Sequence, residues 1–183
     1  MASMMRLLLT AATLGAALVA GAAAAADATD RPTPSGLPVP RYVSLKFGKV
    51  NARAGPGDDH RLLWVYQVRG LPLQVVAETA EWRRVCDPQG ELVWVHKRTT
   101  DGRRTAINMQ ATATPLRRRP KDVSRVSAYL NPRALASVVR CEKDWCRVKA
   151  DDVAGWVRAG ELWGTSEAVQ CRPGEARATT GEH

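Results

Sequence analysis

Trp82-Arg-Arg-Val85 and Val93-Trp-Val95 return later in the chain as Trp145-Cys-Arg-Val148 and Gly155-Trp-Val157. These paired stretches indicate an internal repeat, and a repeat of about 60 residues is the size of a complete small domain. The sequence therefore predicts two copies of one small domain rather than a single larger core.

The repeat keeps a steady register over most of its length. Residues 50–56 align with residues 114–120 at an offset of 64. The offset falls to 63 at Trp82 and to 62 at Trp94. Two single-residue deletions in loops of the second copy account for this drift.

The first 26 residues have the features of a secretory signal peptide. Arg6 provides a short basic region, residues 7–19 are apolar, and the alanines at 24–26 form a cleavage site. The alternative, an uncleaved membrane anchor, would need about 20 strongly apolar residues. We therefore expect a periplasmic or secreted product with no stable membrane insertion after cleavage.

The rest of the chain divides by composition and by the repeat. Residues 27–40 are rich in proline and have no apolar period, which predicts a flexible leader. Residues 41–110 form the predicted first domain and residues 111–166 the second. Residues 167–183 are predicted to be a C-terminal tail.

Within these domains, short runs of β-branched and aromatic residues alternate with turn sequences such as Asp87-Pro-Gln-Gly90. After the signal peptide, no window of ten or more residues carries a helical apolar stripe. We therefore predict an all-β fold of two small barrels in tandem. The predicted strands of the first copy are residues 43–50, 62–68, 71–78, 82–86 and 92–96.

Three features resemble the signature of bacterial SH3-like domains: the stretch 50–56, the later Trp82 with Val85, and the closing pair Trp94-Val95. The chain especially resembles exported tandem SH3-like proteins of unknown function from Gram-negative bacteria, whose second copy ends in a Leu-Trp-Gly such as residues 162–164. The resemblance implies small barrels that commonly accompany cell-wall hydrolases and target them to peptidoglycan.

Two glycines of this signature occur in only one copy. Val93 replaces the glycine that Gly155 supplies in the second copy, and Arg119 replaces the glycine that Gly55 supplies in the first. Glycine at such a site permits a positive φ or close backbone approach. We therefore expect the loop geometry to differ between the copies, and a ligand that uses this loop to bind the first copy.

The tryptophans indicate either structural packing or a platform for carbohydrate or peptide. Because side chains alternate along a strand, Trp82 and Trp94 should point away from the core valines near them. Trp64 and Tyr66 share one face of a strand and are the predicted exposed pair. The candidate ligand-binding residues are Trp64, Tyr66, Asn51, Arg53, Trp82 and Trp94.

The chain is moderately basic, since its formal charge of +9 becomes +8 when Arg6 leaves with the signal peptide. Basic surfaces favour anionic partners, and export makes nucleic acid the least favoured of these. The candidate basic patch is Arg117, Arg118, Arg119 and Lys121, although a solvated strand edge explains these residues equally well.

Four cysteines in an exported chain predict disulfides. Aligned on the tryptophans, Cys141 and Cys146 fall where the first copy has Glu78 and Arg83, on either side of a four-residue turn. Two thiols and two opposite charges both suit facing positions in a hairpin. We therefore predict a disulfide between Cys141 and Cys146.

The remaining cysteines, Cys86 and Cys171, would then pair, with two free thiols or an intermolecular bond as alternatives. A nucleophilic cysteine would have to be unpaired and close to a histidine. Of the three histidines, His60 lies in a turn, His183 is terminal and only His96 is well placed. The spacing of the cysteines and acids matches no zinc or calcium site, so we expect no enzyme, no metal and no cofactor.

These observations predict a non-catalytic binding module of the cell envelope. Its expected partner is peptidoglycan, bound through the stem peptide, or a segment of an envelope protein. Two alternatives stay open: an interaction scaffold in an envelope assembly and, from another class, a minimal cell-wall hydrolase.

Overall fold

The computed structural model describes residues 33–171, which form two antiparallel β-sheets. Each sheet curls around its own apolar core, so the predicted tandem all-β fold is confirmed. The predicted signal peptide and most of the tail lie outside the described residues. Over residues 33–171, no helix has the length and apolar character needed to cross a bilayer.

The first sheet has seven strands in the order β3-β2-β6-β5-β4-β1-β7. The predicted strand at residues 43–50 is wrong, because a bend at residues 46–48 separates two strands with different partners. A 3₁₀ turn at Lys97–Thr99 leads into the last strand. The strands are β1 (Arg41–Leu45), β2 (Val50–Arg53), β3 (Leu62–Tyr66), β4 (Pro72–Glu78), β5 (Trp82–Cys86), β6 (Leu92–His96) and β7 (Thr100–Asp101).

The second sheet has six strands in the order β10-β9-β13-β12-β11-β8. Its strands are β8 (Thr105–Ile107), β9 (Thr114–Arg117), β10 (Val126–Leu130), β11 (Leu135–Glu142), β12 (Trp145–Ala150) and β13 (Val153–Arg158). Strand β8 is the second copy of β1, since Ala106 faces Ala136 as Val43 faces Leu73. The sheets therefore divide before β8, earlier than the predicted boundary at residue 110.

The repeat extends to the irregularities of the strands. Leu63 is skipped in the pairing of β3 with β2, and Ser127 is skipped in the equivalent pairing of β10 with β9. Val76 in β4 and Val139 in β11 are skipped in the same way. Bulges bend a strand and increase its twist, so the two sheets curl alike.

The barrels dock through the end of the second copy. Leu162 is buried in the second core, whereas Trp163 packs against the first core with its ring edge-on to Tyr42 at 5.4 Å. Gly164 follows with a φ of +103°, and a Cβ there would lie 2.5 Å from the Thr105 carbonyl oxygen. Glycine is therefore required where the chain closes the junction.

The C-terminal segment returns to the first barrel. Cys171 forms the predicted disulfide with Cys86. The structure therefore has neither of the two alternatives at these positions, free thiols or an intermolecular bond. The buried side chain of Gln74 donates to the Ala168 carbonyl at 2.9 Å and accepts from the Gln170 N–H at 2.8 Å. This part of the predicted tail is thus tied to β4.

The predicted facing positions of the β11–β12 and β4–β5 hairpins are confirmed. Cys141 lies opposite Cys146, and the two form the second disulfide. Glu78 lies opposite Arg83 at the equivalent position of the first barrel. The described chain has no free cysteine.

The described part of the predicted leader, residues 33–40, is held by the first of these hairpins. The Glu78 carboxylate accepts hydrogen bonds from the Ser35 N–H at 3.1 Å, from the Ser35 hydroxyl, and from Arg41 at 2.6 Å. Burial alone would raise the pKa of Glu78, but the bonds from Ser35 and Arg41 outweigh it and lower the pKa to about 2. The prediction of a flexible leader therefore does not hold for this stretch.

Candidate functional site

Each barrel has an eight-residue loop at the same place, between two paired strands. Residues 54–61, called here the first loop, join β2 to β3, and residues 118–125, the second loop, join β9 to β10. The first amide of each loop donates to the last carbonyl, at 3.0 Å in the first loop and 2.9 Å in the second. The two loops are therefore closed by the same backbone bond.

The arginine that precedes each loop also has the same role in both barrels. Arg53 donates to the His60 carbonyl at 2.8 Å, and Arg117 donates to the Ser124 carbonyl at 3.1 Å. Because both bonds run inside the loop, these side chains brace the backbone. Arg117 is thus structural within the predicted basic patch.

The expected difference in loop geometry between the copies is wrong, and the reason lies in a second substitution. A Cβ at Gly55 would collide with the His60 ring, so the first loop needs a glycine there. The second loop has Ser124 in place of His60, and its hydroxyl accepts from the Arg119 N–H at 3.0 Å. The smaller side chain accommodates Arg119, and geometry no longer favours the first copy as the binding loop.

Charge distinguishes the two loops. The first loop has one arginine and two aspartates, for a formal charge of −1, whereas the second has four cations and one aspartate, for +3. The aspartate of the second loop, Asp122, is already paired with Arg158, whose hydrogen bonds lower the pKa of Asp122. The cations are Arg118, Arg119, Lys121 and Arg125.

The second loop forms a shallow cleft of about 370 Å³. The four cations line it together with Val123 and Ser124, and none of the four has an ion pair within residues 33–171. Val123 is 95% exposed. The cleft can therefore receive an anion, and its positive charge is free to act on one.

The structure keeps Arg118, Arg119 and Lys121 of the predicted patch together and adds Arg125 to them. The sequence analysis missed Arg125 because it lies six residues after the last arginine of the cluster at 117–119. Its signal was the repeat itself, since Arg125 is the counterpart of Arg61, the residue that closes the first loop.

The prediction that Trp64 and Tyr66 form an exposed pair is wrong. Tyr66 is buried and its hydroxyl donates to Asp87 at 2.9 Å. Burial, together with the Asp87 charge, raises the pKa of Tyr66 well above its usual range. Trp64 packs against the first core, with its ring 5.9 Å from that of Tyr66. The exposed apolar side chains of β3 are instead Leu62 and Val65.

The other candidates for ligand binding lie on the outer face of the first sheet. Trp94 is half-buried and stands in register between Arg53 and Arg84, whereas its neighbouring valines are buried. Trp82 is buried against His96, with the ring centroids 5.1 Å apart. Asn51 is exposed on β2.

These aromatic side chains are therefore packed rather than open. The second barrel repeats the arrangement, with the Arg158 guanidinium 4.9 Å from the Trp145 ring and that of Arg140 5.2 Å from Trp156. Stacked cations stabilise such rings. A role for the tryptophans in ligand binding stays a prediction.

No metal site is apparent in the described part of the chain. Over residues 33–171, there is no cluster of three or more His, Cys, Asp or Glu side chains able to hold an ion. His183 lies outside the described residues.

The family model of the bacterial SH3 domain matches residues 46–102 and residues 110–164. No curated protein matches the chain. Two disulfides in a chain of this family are typical of an extracytoplasmic protein.

Among solved structures, the chain is similar to NlpC1 and NlpC2 from Trichomonas vaginalis, at 11% and 12% sequence identity. Both alignments cover 67% of this chain and have a TM-score of 0.30. They cover 45% and 47% of the two NlpC chains, so this chain spans less than half of either. The two family matches together take in more than half of the 183 residues, and the chain belongs to the bacterial SH3 domain family, with two copies of the domain in tandem.

Proposed function

We propose that this protein is a non-catalytic binding module of the cell envelope, periplasmic or secreted, that holds peptidoglycan through its second loop. Bacterial SH3 domains commonly bind peptidoglycan, which supports the partner. The single observation that carries the site is the second loop, where four cations with no ion pair in residues 33–171 line a cleft on a braced backbone.

The chemistry of the loop suits the carboxylates of a stem peptide. Arginine presents its donors in a planar fork that matches a carboxylate, and such charge-assisted bonds are about twice as strong as neutral ones. Three arginines and one lysine surround the cleft. The bracing bond from Arg117 to the Ser124 carbonyl holds the loop in one shape, so less ordering is needed on binding.

The state of the cysteines and histidines supports a non-catalytic role. Both disulfides leave no thiolate for nucleophilic attack within the described chain. The ring of His96 packs on Trp82, and its imidazole faces Glu81 at 3.9 Å rather than a nucleophile. These contacts suit a structural histidine.

The test is co-sedimentation with purified sacculi. In a variant with Arg118, Arg119 and Lys121 changed to serine, we expect retention to fall by about tenfold or more, and to fall also when salt is added to the parent protein. The matched control changes Lys49, Arg61 and Arg98 to serine, which removes the same charge from exposed positions elsewhere. Unchanged retention of the first variant would contradict the proposal, and release of soluble muropeptides would contradict the non-catalytic role.

An interaction scaffold is the second candidate, and one observation favours it. Strand β3 is at the edge of the first sheet, its Leu62 and Val65 are 46% and 38% exposed, and residues 62–68 carry no charge. An uncharged edge strand can accept a strand from another protein. In that case Val65→Lys would abolish complex formation with the partner, and sacculus binding would not depend on the second loop.

A further inference from the structure

We propose that the cleft between the two barrels, distinct from the second loop, is a binding site for a short acidic peptide with small apolar side chains between its carboxylates. The cleft has a volume of about 540 Å³. This lies within the range of about 300–1,000 Å³ that is typical of sites for small ligands. The proposed binding of peptidoglycan by the second loop does not depend on this cleft.

Both barrels and the segment between them build the cleft. Arg69 comes from the turn between β3 and β4, Arg104 from the segment before β8, and Lys149 from the end of β12. Leu135 and Ala136, at the start of β11, provide apolar surface between these cations. A ligand in the cleft would therefore contact both barrels at once.

Internal bonds fix the wall that the two barrels share. The Ser44 hydroxyl donates to the Arg103 carbonyl at 2.6 Å, and the Thr105 hydroxyl donates to the Gly70 carbonyl at 2.7 Å. The Val138 N–H donates to the Arg104 carbonyl at 2.8 Å, which joins β11 to the same segment. The cleft is thus preformed, and its own backbone groups do not need a ligand to satisfy them.

The charge of the cleft is positive and largely uncompensated. Four cations and one acid, Asp151, line it, for a formal charge of +3. Arg103 is paired with Asp101 at 2.6 Å. Arg69, Arg104 and Lys149 have no ion pair to any carboxylate of residues 33–171. Cations from both barrels that outnumber the single acid in one cavity attract an anionic ligand.

Among the three cations without an ion pair in residues 33–171, Arg104 is the one that other residues hold in place. Its Nε donates to the Gly164 carbonyl at 3.3 Å, and its guanidinium lies 5.4 Å from the centre of the Tyr42 ring. These contacts leave the terminal nitrogens of the guanidinium for a carboxylate. Arg69 and Lys149, both exposed, can reach a second carboxylate from either side.

The apolar part of the lining indicates a peptide rather than a phosphate. Leu135 and Val138 are half-buried, so methyl groups form part of the surface between the cations, beside the hydroxyl-bearing Ser44, Thr105 and Ser137. A free phosphate would leave this surface in contact with water. An acidic peptide with alanine-sized side chains would cover it and gain the hydrophobic contribution.

The experiment uses fluorescence anisotropy with a labelled Glu-Ala-Glu-Ala peptide and its neutral counterpart Gln-Ala-Gln-Ala. The full mature chain should bind the acidic peptide at least about tenfold more tightly than the neutral one, since charge-assisted bonds are lost in the latter. The double variant Arg69→Ser/Lys149→Ser should lose about tenfold in affinity. Both side chains are exposed and bond to nothing else in the described chain, so the variant should fold.

Two controls localise the effect. Lys49→Ser/Arg98→Ser removes equal charge elsewhere, and the second-loop triple variant removes the other proposed site; neither should weaken peptide binding more than about twofold. The amide chemical shifts of Gly70, Thr105 and Ser137 should change when the acidic peptide is titrated into the parent protein. Equal binding of the two peptides, equal losses in the control and cleft variants, full displacement by equimolar inorganic phosphate, or no shift at these amides would each overturn the inference.

Discussion

The hairpin β4–β5 of the first barrel and the hairpin β11–β12 of the second have the same bulge and the same facing positions, but different bonds hold them. Glu78 and Arg83 face each other in the first and gather Arg41 and Ser35 into a partly buried ionic cluster. A disulfide occupies the equivalent position in the second. The same hairpin position thus accommodates either an ionic cluster or a disulfide.

The two cores likewise fill an equivalent position with different residues. The second barrel packs Leu116 against Gly155, where a Cβ would lie 2.6 Å from the Leu116 Cβ. The first barrel has Ala52 and Val93 at the equivalent positions, both buried. The larger residue is Leu116 on β9 in the second barrel and Val93 on β6 in the first. This exchange explains why Val93 stands where the family pattern has glycine.

The loops differ in the opposite sense. Their backbone bonds are the same, whereas their formal charges differ by four, from −1 to +3. The aspartates Asp58 and Asp122 form ion pairs with Arg53 and Arg158, whereas the four cations of the second loop form none within residues 33–171 and are available for function. We infer that the two barrels share a fold and that only the second presents an anion-binding loop.

The largest expected effect concerns the two disulfides. The Cys86–Cys171 bond spans 85 residues and the Cys141–Cys146 bond spans five. On the chain-entropy model, replacing the first pair with alanines should cost about 4–5 kcal/mol of unfolding free energy, and replacing the second about 2 kcal/mol. Urea denaturation without reductant measures both, and equal losses would contradict the comparison.

The next effect tests the exchanged volumes. Gly155→Val should destabilise the protein by about 3 kcal/mol, because the nearest atoms include the Leu116 backbone and cannot move aside cheaply. Ala154→Val, at the adjacent half-exposed position, is the control and should change stability by less than about 0.5 kcal/mol. Similar unfolding free energies for the two variants in urea denaturation would contradict the close packing of β9 against β13.

A smaller effect distinguishes the ionic hairpin from the disulfide hairpin by pH. The folded pKa of Glu78, about 2, is below its ordinary value of 4.5, so the cluster stabilises the fold above pH 4.5 and loses this contribution as the pH falls towards 2. We expect a loss of about 1–2 kcal/mol, less than the full shift implies because solvent near the barrel surface screens the charges. Unfolding free energies measured at several pH values should show a weaker acid dependence in Glu78→Gln, and an unchanged dependence would remove the cluster from the account.

The sequence allowed the parts of this structure that repeat to be predicted. Matching tryptophans gave the barrels, and matching hairpin positions gave the Cys141–Cys146 disulfide. The pairing of β8 with the second sheet was not predicted, because three residues without a tryptophan carry no visible repeat signal.

The remaining errors share a physical cause, which is a partner distant in sequence. Tyr66 packs in the first core, and its buried hydroxyl bonds to Asp87, 21 residues away, so a side chain predicted to be exposed is inside. The second loop keeps its shape because Ser124 makes room for Arg119, a compensation that the glycine alone does not reveal. The four-cation cleft follows from that shape.

Exchanging the two loops tests whether the second loop alone confers binding to sacculi. In one chimera the sequence of residues 54–61 replaces residues 118–125, and in the other the reverse replacement is made; equal length and equal closing bonds make both exchanges compatible with the fold. Co-sedimentation with purified sacculi is then measured at low and high salt. We predict that the chimera with two first loops loses salt-sensitive retention and that the chimera with two second loops keeps or increases it, whereas retention that does not follow the second-loop sequence would contradict the account.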